Sequence, residues 1–345
     1  MARRKNRERS PAWAELPAEE LLDVRLCDLG LRIEGTALEA RIERLHAELA
    51  AAGLRFRPYT WLSTDWFTPE GSTGFAIPFY LAHPRLVRLE HAQMLEAEGG
   101  THEWCMRLLR HEAGHAFDNA FRLHRRADWR ALFGRYTEPY RADYVVKPES
   151  RDYVHHLGYW YAQSHPAEDY AESFAVWLTP ASRWRSAYAG WPALKKMEGL
   201  ERILLELGGR RQLVSSRDRE GSLPTLRSTL REHYRRKKAS YGRPVPWTHD
   251  EQLLRLFAEP GGRERRERAA NLLRKHRVEL RARVSTLTGH SRYVVDQALA
   301  TMIARCRELD LCCVRPSGET RLLAAMLLTM ITFHLSRGRT SRFRR

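Results

Sequence analysis

Two histidines and a glutamate carry the clearest chemistry in this sequence. His111 and His115 stand four residues apart around Glu112, in the run His111-Glu112-Ala113-Gly114-His115. On a helix that spacing puts both imidazoles on one face, one turn apart, where they can share a metal ion. The glutamate beside the first histidine can then reach a water on that ion. Such an arrangement suits the hydrolysis of an amide bond. The pattern alone is weak in a chain with fifteen histidines, so its surroundings decide.

Those surroundings predict a helix. Gly99-Gly100 breaks the chain, Thr101 can cap the next segment, and Glu103 falls in the first turn, where a negative charge suits the dipole. Trp104, Leu108, His111 and His115 recur at helical spacing, and His124, Arg125 and Arg126 lie where the helix should end. Ala113 and Gly114 are small, so another element can approach closely. Asp118 and Phe121 occupy the places where an HExxHxxGxxH pattern needs glycine and histidine, which excludes that class.

A third ligand must then come from elsewhere, and the segment from Ser164 to Leu178 can supply it. Ser164 or His165 can cap a helix there, Pro166 suits its first turn, and Pro180 cannot continue it. Glu168 and Glu172 are four apart and share a face, while Tyr170, Phe174, Trp177 and Leu178 can pack towards a core. Two carboxylates on so apolar a helix are costly to bury without a task. One can bind a metal, and the other can accept the free ring N–H of a ligating histidine. We assign Glu168 to the metal and Glu172 to His111, with the reverse as the alternative. For an isolated pair of glutamates, solvated surface charges would be the better reading; here a two-histidine helix still lacks a ligand.

The run HEAGH, followed by Tyr161 and by Ala167-Glu168-Asp169-Tyr170-Ala171-Glu172-Ser173-Phe174, resembles the glutamate-zincins. The two helices are similar to the metal helices of the anthrax lethal factor catalytic domain. The longer run from Gly99 to Pro180, ending in HPAEDYAESFAVWL, resembles bacterial zinc-binding metallopeptidases of the Mx type, over most of residues 11–210. The resemblance implies a zincin-like fold and one Zn2+ held by His111, His115 and Glu168. It also implies a transition-state role for Tyr161, seven residues before Glu168. It implies no substrate. Tyr153 and Tyr159 are the alternative phenols, although aromatics this dense more often line a core or pocket. His155 and His156 are adjacent, so at most one could enter the site, and both are expected as loop or surface residues. His165 is expected to cap rather than to ligate.

The whole chain has 345 residues, 43% of them hydrophobic, enough for one large or two ordinary packed domains. Met1 to Ser10 is basic with no apolar run behind it, so no secretory leader is read. The longest apolar stretch, Leu322 to Leu335, is too short to span a bilayer. Five cysteines at 27, 105, 306, 312 and 313 form no CxxC and no even framework, which fits a reducing cytoplasm.

Net charge is +17, with a balance of +1 over residues 1–220 and +16 over residues 221–345. The break coincides with the polar stretch 217–224, which reads as a linker. The expected organisation is therefore a disordered 1–16, a zincin-like domain over 17–216, the linker, and a basic helical domain over 225–345 with an arginine-rich tail. The expected class is α+β. A helix over Thr36–Ala52 precedes a small antiparallel sheet of Arg55–Leu62, Gly74–Leu81 and Leu86–Glu90, the last being the candidate edge for substrate. Phe75, Ile77, Phe79 and Leu81 alternate, which predicts one buried face. Further helices are expected over Arg263–Thr286, Ser291–Leu309 and Glu319–Leu335.

The function expected is a zinc-dependent peptidase acting on peptide or isopeptide bonds. The alternative is a nucleic-acid- or polyanion-binding protein with a structural or inactive zinc site, using Arg235-Arg236-Lys237-Lys238, Arg263–Arg268 and Arg337–Arg345. Glu112 favours the enzyme, because a structural site has no need of a base beside its ligand.

Overall fold

The computed structural model describes residues 11–140, 144, 146–158, 160–241, 248–259 and 266–336. Helices dominate. They run in chain order as α1 (Ala18–Leu22), α2 (Ala37–Ala51), α3 (Pro84–Met94), α4 (His102–Phe121), α5 (Ala127–Phe133), α6 (Pro166–Leu178), α7 (Trp184–Ala187) and α8 (Pro192–Leu207). After these come α9 (Leu230–Tyr241), α10 (Asp250–Leu256), α11 (Ala269–Lys275), α12 (Arg277–Thr288), α13 (Arg292–Glu308) and α14 (Ser317–Ser336). The capping box at the start of α2 forms: the Thr36 hydroxyl accepts from the Leu38 and Glu39 N–H groups, and Glu39 reaches back to the Gly35 N–H at 2.8 Å.

The sheet differs from expectation. β1 (Tyr59–Ser63) and β2 (Gly74–Pro78) pair in parallel, with Tyr59 opposite Gly74 and Ser63 opposite Pro78. The chain between them turns back, and the Phe67 carbonyl accepts the Ala76 N–H at 2.8 Å in an antiparallel bridge. A connection this short suggests a hairpin, but it is spent on the return of Phe67 instead. β2 is buried along its whole length, so the alternation at Phe75 and Ile77 marks no solvent face, and residues 79–82 form a 3-10 turn.

Leu86–Glu90 is not a strand and cannot be a substrate edge. It lies inside α3, where His83 Nδ1 accepts the Arg85 N–H at 3.1 Å and Pro84 occupies the first turn. Leu86, Leu89, Glu90 and Met94 then bury one helical face.

The expected linker and domain boundary also move. Carbonyls of Asp218, Glu220 and Gly221 accept hydrogen bonds from Tyr59, Trp61 and Ser63, so this stretch is stitched to β1. Leu230 and Tyr234 of α9 belong to the same core as α2, α4 and β2, while a second core starts at Leu253 and ends at Ile331. The change of packing therefore falls between Tyr241 and Asp250. The basic run on α9 is partly consumed by this docking: Lys237 pairs with Glu90 at 2.7 Å, Lys238 meets Gln93, and Arg231 meets Glu19 and Asp23. At the other end, Trp13 is buried and its indole N–H donates to the Leu29 carbonyl, so order begins well before residue 17. The tail 337–345 and Arg263–Arg265 lie outside the described residues.

Candidate metal centre

α4 forms as its sequence predicts. The Thr101 hydroxyl accepts the Trp104 N–H at 3.2 Å, Glu103 sits in the first turn, and Arg122 ends the helix with φ 52°. Nearly every residue from Cys105 to Phe121 is buried, so α4 is a central helix rather than an amphipathic surface one. α6 crosses it with His165 as cap: His165 Nδ1 accepts the Ala167 N–H at 3.1 Å, and its Nε2 donates to the Glu138 carbonyl. Gly114 makes the crossing close. A Cβ there would stand 3.2 Å from the Ala171 Cα and 3.2 Å from the Phe174 Cβ.

This approach brings His111, His115 and Glu168 together. His111 Nε2 and His115 Nε2 are 3.2 Å apart, and each lies 3.1 Å from Glu168 Oε2. All three side chains are buried, and together they could hold a metal ion. The fit is good: around a small ion with bonds of about 2.0–2.1 Å, tetrahedral donors stand roughly 3.3–3.4 Å apart.

Glu172 lies one turn along α6, where its Oε1 meets His111 Nδ1 at 3.0 Å. With the Nδ1 proton directed at that carboxylate, the His111 Nε2 lone pair faces the donor cluster. The other Glu172 oxygen accepts the Leu157 N–H at 2.8 Å, which ties the loop before α6 to the site. The charges are strongly coupled. Burial opposes charge on His111, but the Glu168 and Glu172 carboxylates outweigh it and lift the imidazole to about 10. Burial likewise works against the Glu168 carboxylate, yet His115 and His111 hold it well below the usual range. A cation at this site therefore competes with a proton for His111.

Glu112 is buried, and its Oε2 accepts the Thr68 hydroxyl at 2.8 Å. Thr68 follows Phe67, so the extended segment beside β2 positions the glutamate next to the ligands. Tyr161 is 8% exposed, with its ring centroid 5.8 Å from that of His111. Burial and then the nearby Glu168 carboxylate keep its phenol protonated well above the usual range. Tyr140, which no sequence pattern singled out, donates to Glu168 Oε1 at 2.8 Å and stacks on His165 with centroids 3.8 Å apart. Only the folded arrangement reveals Tyr140 and Thr68; neither has a local signal.

The other candidates fall elsewhere. The Tyr153 ring lies 4.5 Å from Lys196 Nζ and lines a separate cavity of about 530 Å³ beside Asp169 and Lys147. Tyr159 lies outside the described residues. His155 packs its ring on Trp191. His156 is buried, bonds the Arg107 carbonyl at 3.0 Å and is pushed down to about 4 by burial, so it is a structural histidine.

No protein-family model matches this chain, and neither a curated protein nor a solved structure does.

Proposed function

We propose that this protein is a zinc-dependent metallopeptidase that hydrolyses peptide or isopeptide bonds. The observation that carries the reading is the buried triangle of His111, His115 and Glu168 donors with the Glu112 carboxylate adjacent in sequence and separately bonded to Thr68. Two imidazoles and one carboxylate favour zinc over calcium or magnesium, which prefer oxygen donors. When bound, zinc supplies the Lewis acidity that activates water and polarises the scissile carbonyl.

The chain's own groups do the rest. Glu112 accepts the proton of the attacking water and hands it to the leaving nitrogen, with Thr68 holding its carboxylate in place. The Tyr161 phenol donates to the oxyanion of the transition state. Glu172 keeps the His111 tautomer with its Nε2 lone pair towards the metal.

The test is metal analysis together with a peptide-library cleavage assay on wild type and Glu112→Gln. The variant should bind about one zinc per chain like the wild type and lose catalysis by at least about a hundredfold. A wild-type protein that purifies without zinc and cannot be loaded, or a Glu112→Gln variant that turns over normally, overturns the proposal.

A further inference from the structure

Residues 134–140 are strung between α4 and α6 by two tyrosine rings. Gly134, at φ 101°, turns the chain out of α5 beside Pro166, the first residue of α6. Tyr136 then stacks on His124, with ring centroids 4.3 Å apart. His124 is itself held by Asp118 of α4, whose Oδ1 accepts the His124 backbone N–H at 2.7 Å and whose Oδ2 lies 2.9 Å from Nδ1. Asp118 stands three residues after His115, so this end of the segment is fixed to α4 about one turn beyond a candidate ligand. At the other end Tyr140 stacks on His165, with centroids 3.8 Å apart and ring planes 15° from parallel. His165 caps α6 three residues before Glu168.

On the reading of His111, His115 and Glu168 as zinc donors, we infer that His165 is a positioning residue: it holds the Tyr140 hydroxyl on Glu168 Oε1, so that Oε2 is the oxygen offered to the ion. Both nitrogens of the His165 ring are engaged. Nδ1 accepts the Ala167 N–H at 3.1 Å, and Nε2 donates to the Glu138 carbonyl at 2.8 Å. The first bond fixes the ring to α6. The second fixes the backbone of the segment two residues before Tyr140. The ring face held between these bonds receives Tyr140, which is 43% exposed and would otherwise keep its rotamer freedom.

What this does for Glu168 follows from its two oxygens. Oε2 lies 3.1 Å from the Nε2 of each imidazole, and Oε1 lies 2.8 Å from the Tyr140 oxygen. Turning the carboxylate loses these contacts together, so a fixed Tyr140 fixes the donor. Partners behind a ligand set metal affinity in this way. Capping alone does not need the histidine: an asparagine caps a helix well, but it offers no ring for Tyr140 to stack on.

Zinc affinity is measured by chelator competition on the full-length protein, for wild type, His165→Asn, Tyr140→Phe and the double variant. His165→Asn keeps a capping side chain and should still lose about tenfold, with Tyr140→Phe losing at least as much. The double variant should lie within about twofold of the weaker single one, because both changes remove the same hydrogen bond. With cobalt in place of zinc, the visible spectrum, which reports donor geometry, should change alike in the two single variants. Tyr136→Leu loosens the segment without touching α6 and should lose about threefold, with nothing added in the Tyr140→Phe background. Wild-type affinity in His165→Asn overturns this role, or, where that variant does not fold, wild-type affinity in Tyr136→Leu. Losses that multiply with that of Tyr140→Phe also overturn it, since His165 would then act only through the fold of α6. None of these readings depends on peptidase activity; a wild-type protein that takes up no zinc overturns both this role and the peptidase reading.

Discussion

At the scale of single residues, one carboxylate decides the candidate metal centre. Glu168 presents Oε2 to both imidazoles while Oε1 is held by the Tyr140 hydroxyl. Removing that hydroxyl frees the carboxylate to rotate, so Tyr140→Phe should weaken zinc affinity by about ten- to a hundredfold. Tyr161 packs its ring beside that of His111 and is not one of the three donors, so Tyr161→Phe should leave affinity alone. It should instead lower kcat by roughly ten- to a thousandfold with little change in KM. Chelator competition and steady-state kinetics on the two variants separate the roles. Equal zinc affinity in Tyr140→Phe would show that its contact is incidental.

At the scale of elements, the separation of α4 and α6 sets the donor triangle, and Gly114 sets that separation. Gly114→Val places methyl groups where the Ala171 Cα and Phe174 already stand at contact. It should cost about 1–3 kcal/mol in denaturant unfolding and lower zinc affinity as the helices part; unchanged zinc binding would show that the triangle tolerates a wider crossing.

A second element-level expectation concerns α9. His233 is buried against Phe79, its Nε2 has no partner among the described residues, and burial, with Lys237 and Arg236 adding, pushes it down to about 3. An unfolded histidine titrates near 6.5. Below that pH the unfolded chain takes up a proton that the folded one refuses, so stability is lost as pH falls from about 6.5 towards 3. His233→Phe should be close to neutral at pH 7 and should spare on the order of a few kcal/mol by pH 4, read from urea midpoints. Parallel pH profiles for the two proteins would rule out His233 as a source of acid lability.

At the scale of the whole molecule, packing and charge divide the chain at different places. A chain cut after Gly221 loses Leu230, Tyr234 and Lys237, which fill the first core and neutralise Glu90. It should fail to fold, since losing even one buried leucine typically costs about 2–5 kcal/mol. A chain cut after Tyr241 keeps all of these and should bind zinc with a cooperative melt. The circular dichroism melts and zinc contents of the two truncations check this; a stable, zinc-binding 1–221 fragment would restore the boundary that charge alone implied.

The sequence by itself determined α4 and α6, because their signals are local. Thr101, His165 and Pro166 act within one turn of their helix starts, and His111, His115, Glu168 and Glu172 align through the pitch of the helix alone. The same kind of signal marked α3, where His83-Pro84 starts a helix, but the β-branched and aromatic neighbours hid it. Tertiary structure alone decided the parallel pairing of β1 with β2, the return of Phe67, and the roles of Thr68 and Tyr140. These last two meet their glutamates across 44 and 28 residues of chain. It also moved the boundary, since Glu19, Asp23 and Glu90 absorb cations of α9 that composition counts as surplus. Helical periodicity is a property of neighbouring residues. Which faces meet depends instead on the burial of apolar surface and the neutralisation of charge between segments far apart in the chain, and no local pattern records that.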